Sequence, residues 1–102
     1  MADPVWWIDF ATMEQFVSDV FKGIGVPDSE ARVCADVLIA ADKRGIDSHG
    51  IGRLKSIYYD RIVKDRIQQP VTRLEVVKDR MATAVVDGHH GMGMVIGKRC
   101  ME

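Results

Sequence analysis

The sequence lacks most of what would mark a secreted, membrane-bound or nucleic-acid-binding chain. Among 102 residues it has two cysteines, Cys34 and Cys100, far apart and without metal-ligand spacing. A disulfide framework is therefore not expected, and a reducing compartment is the simpler reading. No apolar run approaches the roughly 20 residues that span a bilayer, and Trp6-Trp7-Ile8 is too short for the apolar region of a signal peptide. A cytoplasmic location without a membrane partner is the resulting expectation. An excess of one charge is missing as well: fourteen basic and fifteen acidic residues leave a net charge of -1, which gives no footprint for nucleic acid. Repeats, low-complexity tracts and long linkers are also absent.

What is present is 47% hydrophobic residues, enough for one small core in a chain too short for two domains. Val5 to Phe10 reads as a short strand or extended arm, ending at a capping box in which Gln15 answers Thr12. The stripe Met13, Phe16, Val17, Val20, Phe21, Ile24 predicts a first helix, with Gly25 and Pro27 as its stop. A second helix starts at Asp28 or Ser29 and runs to Lys43-Arg44 before Gly45. Its apolar residues cover more than one face, which predicts packing on two sides.

Asp47 or Ser48 can cap a third helix from about His49 to Lys64, although Gly50 and Gly52 weaken its first turn. After Pro70 the pattern alternates over residues 71–76, crosses a charged turn at Lys78-Asp79-Arg80 and resumes over residues 82–86, as in an antiparallel hairpin. Gly88-His89-His90-Gly91-Met92-Gly93 reads as a flexible link into a final helix that begins near Met94.

The chemistry is sought in Asp47-Ser48-His49-Gly50 and Arg53. On a helix, residues four apart share a face, so His49 would stand one turn from Arg53. A 2-oxoacid presents a carboxylate that a guanidinium grips bidentately and a carbonyl that imidazole can protonate near neutral pH. Ser48 could bond the same substrate, and free N–H groups at a helix start favour its charge. Taken alone the tripeptide is short, and a surface histidine near a helix start is more often a solvated or capping residue.

The wider string carries more. Ala41-Asp-Lys-Arg-Gly-Ile-Asp-Ser-His-Gly-Ile-Gly-Arg-Leu54, then Tyr58, Arg61 and Ile62, then Thr83-Ala-Val-Val-Asp-Gly-His-His-Gly-Met-Gly93 resembles, in that order, the malate/L-lactate dehydrogenase family. Ureidoglycolate, sulfolactate, diketogulonate and piperideine-carboxylate enzymes are among its members. The resemblance implies a proton-donating role for His49 and a substrate-pocket role for Ser48 and Arg53. The family's Arg-Leu-Pro-x-Tyr is replaced by Arg53-Leu-Lys-Ser-Ile-Tyr58, so Tyr58, a further substrate candidate, comes one residue later. On a helix that step turns a side chain by about 100°.

The resemblance further implies NAD or NADP as cofactor, a longer chain, a second catalytic histidine in a downstream Asn-His-x-Gly segment, and a cofactor domain distinct from the usual dinucleotide fold. Neither of the last two is expected within residues 1–102. No cofactor-binding residue is assigned: Gly88, Gly91 and Gly93 stand in the wrong order for a dinucleotide loop. No metal is expected either, since adjacent His89 and His90 lack further ligand spacing. The methionines read as core filler or subunit contact, and the mixed charges from Lys55 to Arg66 as a solvated face.

The expected architecture is α+β: amino-terminal helices plus a small antiparallel hairpin, one partial domain belonging to the helical part of a two-domain dehydrogenase. The expected reaction of the whole enzyme interconverts a small 2-hydroxyacid and its 2-oxoacid, and a homodimer is the expected assembly. The competing expectation is a catalytically inactive chain that acts only as an oligomerising or binding module.

Overall fold

The structure, a computed structural model, describes residues 7–102. The arm expected over residues 5–10 lies partly outside them; residues 7–9 form no strand, and Phe10 already opens the first helix. Helix α1 spans Phe10–Gly23 and is capped by Asp9, whose carboxylate accepts from Thr12 N at 3.0 Å and from Thr12 Oγ1 at 2.7 Å. The expected Thr12–Gln15 capping box does not form, because an acid three residues upstream takes Thr12 and is favoured by the helix dipole. Gln15 instead donates to Asp19 Oδ1.

Helix α2 spans Asp28–Lys43, behind Pro27. Both helices end alike. Val26 N donates to Phe21 O and Gly25 N to Lys22 O; Ile46 N donates to Ala41 O and Gly45 N to Asp42 O. Gly25 (φ 103°) and Gly45 (φ 74°) supply the left-handed residue this closure requires.

Ala31, Cys34 and Ala35 form a small-residue stripe on α2 that admits Val17 and Phe21 of α1 into the core. Phe16, expected in the buried stripe, is half exposed, so the face α1 buries is narrower than its sequence suggests. The two-sided packing expected of α2 is present: Met92 and Val95 join the same core as Val17 and Phe21 of α1, and the last helix, Gly93–Met101, contacts α2. Burial raises the Cys34 thiol to about 12, with the Glu30 carboxylate adding to the effect.

The single helix expected over residues 49–64 is not there. Two short 3₁₀ turns, Asp47–His49 and Ile51–Arg53, are followed by a π-helical turn, Leu54–Tyr59, and a short α3, Asp60–Val63. The break falls at Gly50 (φ -97°, ψ -146°), outside helical geometry. Leu54 and Ile62 anchor this segment in the core, and Tyr58 meets Phe21 edge-on with ring centroids 6.0 Å apart.

The antiparallel hairpin forms later in the chain than expected, with β1 at Glu75–Asp79 and β2 at Ala84–Asp87. Glu75 faces Asp87, and a bulge between Val76 and Lys78 shifts the register. The turn is closed by Arg80 N donating to Thr83 O, so of the charged triplet expected to make it only Arg80 does, while Lys78 and Asp79 belong to β1. Residues 71–74 stay out of the sheet for a visible reason: Thr72 is buried and its backbone is already engaged. Its N–H donates to Glu30 Oε1 at 3.1 Å, its carbonyl accepts from Arg99, and its hydroxyl accepts from Met92 N at 3.0 Å.

Helix α4 spans Gly93–Met101. The link before it is built rather than loose. His89 and His90 adopt left-handed backbone angles, and Gly91 lies so close to Thr72 that a Cβ would come within 3.1 Å of its Cα. The architecture among the described residues is four helices and one two-stranded antiparallel hairpin, an α+β arrangement. No helix among them is long and apolar enough to cross a membrane.

Candidate active site

The segment from Asp47 to Arg53 takes its shape from its two ends. Upstream, the closed C-terminus of α2 delivers the chain at Ile46, whose carbonyl accepts from His49 N at 3.1 Å. Downstream, Leu54 enters the core. Between them the backbone turns tightly and presents Ser48 and His49 at the surface, with Arg53 half buried.

Ser48 contacts both His49 and Arg53, though the three are not neighbours on one helix. Arg53 Nε donates to Ser48 O at 2.6 Å, and Ser48 Oγ lies 2.9 Å from His49 Nδ1. Ser48 is therefore the hinge of the group: its carbonyl orients the guanidinium and its hydroxyl orients the imidazole. The free N–H groups of a helix start, expected to favour an anion near Ser48, are not available, because a three-residue turn has no helix N-terminus to offer.

Two functional groups remain open at this surface. With Nε engaged, the terminal amino groups of Arg53 make no hydrogen bond among the described residues and form the fork that fits a carboxylate. With Nδ1 held by Ser48, Nε2 is the His49 ring nitrogen left without a hydrogen bond among the described residues. Which of the Ser48–His49 pair donates depends on the ring tautomer.

The residue that holds the turn was missed in the sequence. Asp42, in the last turn of α2, accepts from Ile51 N at 2.9 Å, and its carboxylate lies where a side chain at Gly50 would begin. Hydrogen bonds to charged groups contribute roughly 1.5–3 kcal/mol, and partial exposure puts this one at the low end. The available signal was the Asp in the Ala41-Asp-Lys-Arg-Gly run, eight residues ahead of a glycine that interrupts a helical pattern.

Tyr58 makes no hydrogen bond to this group among the described residues. Its ring packs on Phe21, and its hydroxyl makes no hydrogen bond among the described residues. Lys55 is paired with Asp60 at 2.7 Å, which raises its pKa, so the mixed charges there are in part neutralised among themselves.

The glycine-rich link does not offer a phosphate cradle. A Cβ at Gly88 would run into the end of the Ile96 side chain, and one at Gly91 would come within 3.1 Å of Thr72, so there is little spare room beside either glycine. His89 does acquire partners that spacing could not reveal: Nε2 lies 3.1 Å from Glu75 Oε2 and Nδ1 3.7 Å from Asp87 Oδ2. Strand pairing brings Glu75 to this position, and the imidazole separates two carboxylates that would otherwise oppose each other.

Comparison with known proteins places this geometry in a wider context. Residues 8–102 match the family profile described as malate/L-lactate dehydrogenase. The L-sulfolactate dehydrogenase of Methanocaldococcus jannaschii is 42% identical over 89 residues, which are 87% of this chain and 25% of that protein. The malate dehydrogenase of Pyrococcus horikoshii is 37% identical over 85% of this chain and 24% of its own length. Among solved structures, malate dehydrogenase from Entamoeba histolytica superposes with a TM-score of 0.86 and 37% identity, covering 92% of this chain and 26% of that one. The chain thus spans about a quarter of the length of the relatives it matches.

Proposed function

The chain belongs to the malate/L-lactate dehydrogenase family, and from that membership we propose that it forms the acid-gripping, proton-exchanging edge of a 2-hydroxyacid/2-oxoacid oxidoreductase. The observation that carries this reading is the Arg53–Ser48–His49 relay, which holds an unfilled guanidinium fork and a free imidazole nitrogen across two successive short turns. Arg53 grips the substrate carboxylate, Ser48 orients both neighbours, and His49 gives a proton to the carbonyl oxygen on reduction and takes it back on oxidation.

The hydride at the adjacent carbon would be supplied by NAD or NADP, to which this reading assigns no residue of the chain. Malate and sulfolactate, named for the relatives, define the substrate class: a small acid with an oxygen on the carbon next to its carboxylate. Tyr58 enters this reading only as a packing residue that fixes the segment behind the site.

The test is binding of oxamate, a mimic of a 2-oxoacid, followed by NMR on this chain. Oxamate is expected to shift the Arg53 Nε–H and His49 ring signals, and Arg53→Lys to weaken it about tenfold or more, as loss of a bidentate grip implies. Saturating oxamate that leaves both signals unmoved would remove the proposal.

A second reading, an assembly module that pairs with another copy, is favoured by one specific observation. Val76, Val77 and Val85 are each more than half exposed, and the radius of gyration of 15.4 Å exceeds the roughly 13 Å of a compact chain this long. Light scattering distinguishes the two: a dimer lost on Val77→Lys supports assembly through the hairpin, and a monomer at every concentration rejects it.

A further inference from the structure

We infer that Asp42 is a positioning residue for this site: by occupying the space left at Gly50, it sets the turn that aims His49 and Arg53 at a shared acid. The inference rests on the function proposed above and adds a residue to which neither the family pattern nor the relatives' names assign a role.

Three observations carry it. Gly50 is buried with a negative φ, so the sign of its backbone angle does not demand glycine; the Asp42 carboxylate does, because any Cβ would overlap it. The same carboxylate accepts from Ile51 N at 2.9 Å, pinning the peptide between His49 and Arg53 to the end of α2. Asp42 also stands in the last turn of a helix, where the dipole disfavours an acid, and Lys43 beside it is the kind of residue that end prefers. An acid held against that field does its work beyond the helix, on the turn it clasps.

The coupling follows from connectivity. Gly50 directly follows His49, and Ile51 precedes Arg53 by two residues. Release of the clasp lets the Gly50–Ile51 peptide rotate, and the Arg53 Nε to Ser48 O bond then loses the geometry that keeps it at 2.6 Å. α1 and the main core contact are not involved.

The experiment compares Asp42→Ala, Asp42→Asn, Gly50→Ala and the Asp42→Ala/Gly50→Ala double variant of this chain. The measurements are Arg53 Nε–H exchange, His49 ring nitrogen shifts, oxamate affinity and the denaturation midpoint. Asp42→Ala and Gly50→Ala are each expected to speed Arg53 Nε–H exchange about tenfold, and the double variant to do no more than either alone, since both break one contact. Asp42→Asn keeps an acceptor oxygen and is expected to fall between wild type and Asp42→Ala.

Unchanged Arg53 exchange and His49 shifts in a folded Asp42→Ala protein would overturn the inference, as would fully additive effects. If Asp42→Ala unfolds, Asp42→Asn carries the same decision. Failure of the wild type to bind oxamate would strike the proposed function alone, because the exchange and shift measurements need no ligand.

Discussion

The helical pair and the hairpin are built on opposite principles. α1 and α2 bury Val17, Phe21, Cys34 and Leu38 almost completely, whereas every residue of β1 is exposed and β2 has only Val86 partly covered. The helices are therefore stabilised by their own apolar faces. The hairpin is held by its roots, where Thr72 is clasped by Glu30 and Arg99 and where Gln69 N donates to His90 O. The lesson is that stability and exposure are assigned to different parts of the same short chain, and the candidate site sits at the end of the stable part.

The largest test of that contrast is Phe21→Ala. Loss of a fully buried aromatic that packs on both α2 and Tyr58 is expected to cost about 3–5 kcal/mol, read as a lower denaturation midpoint with the helices and the site segment failing together. Unfolding of the hairpin ahead of the helices in that variant would break the comparison.

Next is Glu30→Gln, which removes the charge from the buried acceptor of Thr72 N and the partner of Arg99 at 3.5 Å. A cost of about 1.5–3 kcal/mol is expected. Hydrogen exchange should speed at Thr72 and Met92 while amides in the middle of α1 keep their protection, sharpening the distinction between root and core.

The cysteines probe the same difference chemically. Cys100 is exposed and should react with a maleimide at neutral pH, while Cys34, with its thiol raised to about 12, should react only on unfolding. The linkage has a definite sign. The folded state keeps the Cys34 proton that the unfolded state gives up near 9.0, so stability falls as pH rises from about 9 toward 12. A stability that rises over that window would contradict it.

The smallest effect is His89→Ala at the hairpin's open end. Partly exposed ion pairs contribute about 0–1 kcal/mol and are screened by salt. A small loss confined to the hairpin amides is expected, shrinking in high salt.

The regular parts of the fold were legible because period and punctuation agreed. The α1 and α2 stripes, the stops at Gly25 and Gly45 and the existence of a hairpin all come from local pattern. The parts that were not legible depend on partners distant in sequence. The bond from Thr72 to Glu30 delays β1 until Glu75, and the Asp42 carboxylate, seated against Gly50 and bonded to Ile51 N, holds the chain where the helix expected after His49 is interrupted. The chemistry of Ser48, His49 and Arg53 was read from residue types, and what the structure adds is that Ser48 contacts each of the other two. Their connection is a hydrogen-bond relay through Ser48 in place of a shared helical face.

The π-helical turn at Leu54–Tyr59 gives a meaning to the late tyrosine. A turn of that width takes up one residue more than an α turn, and the chain still returns to step by Asp60 and seats Ile62 in the interior. The extra residue is absorbed within a single coil, and a one-residue deletion at Ser56 should tighten that coil while leaving α3 and the seat of Ile62 undisturbed.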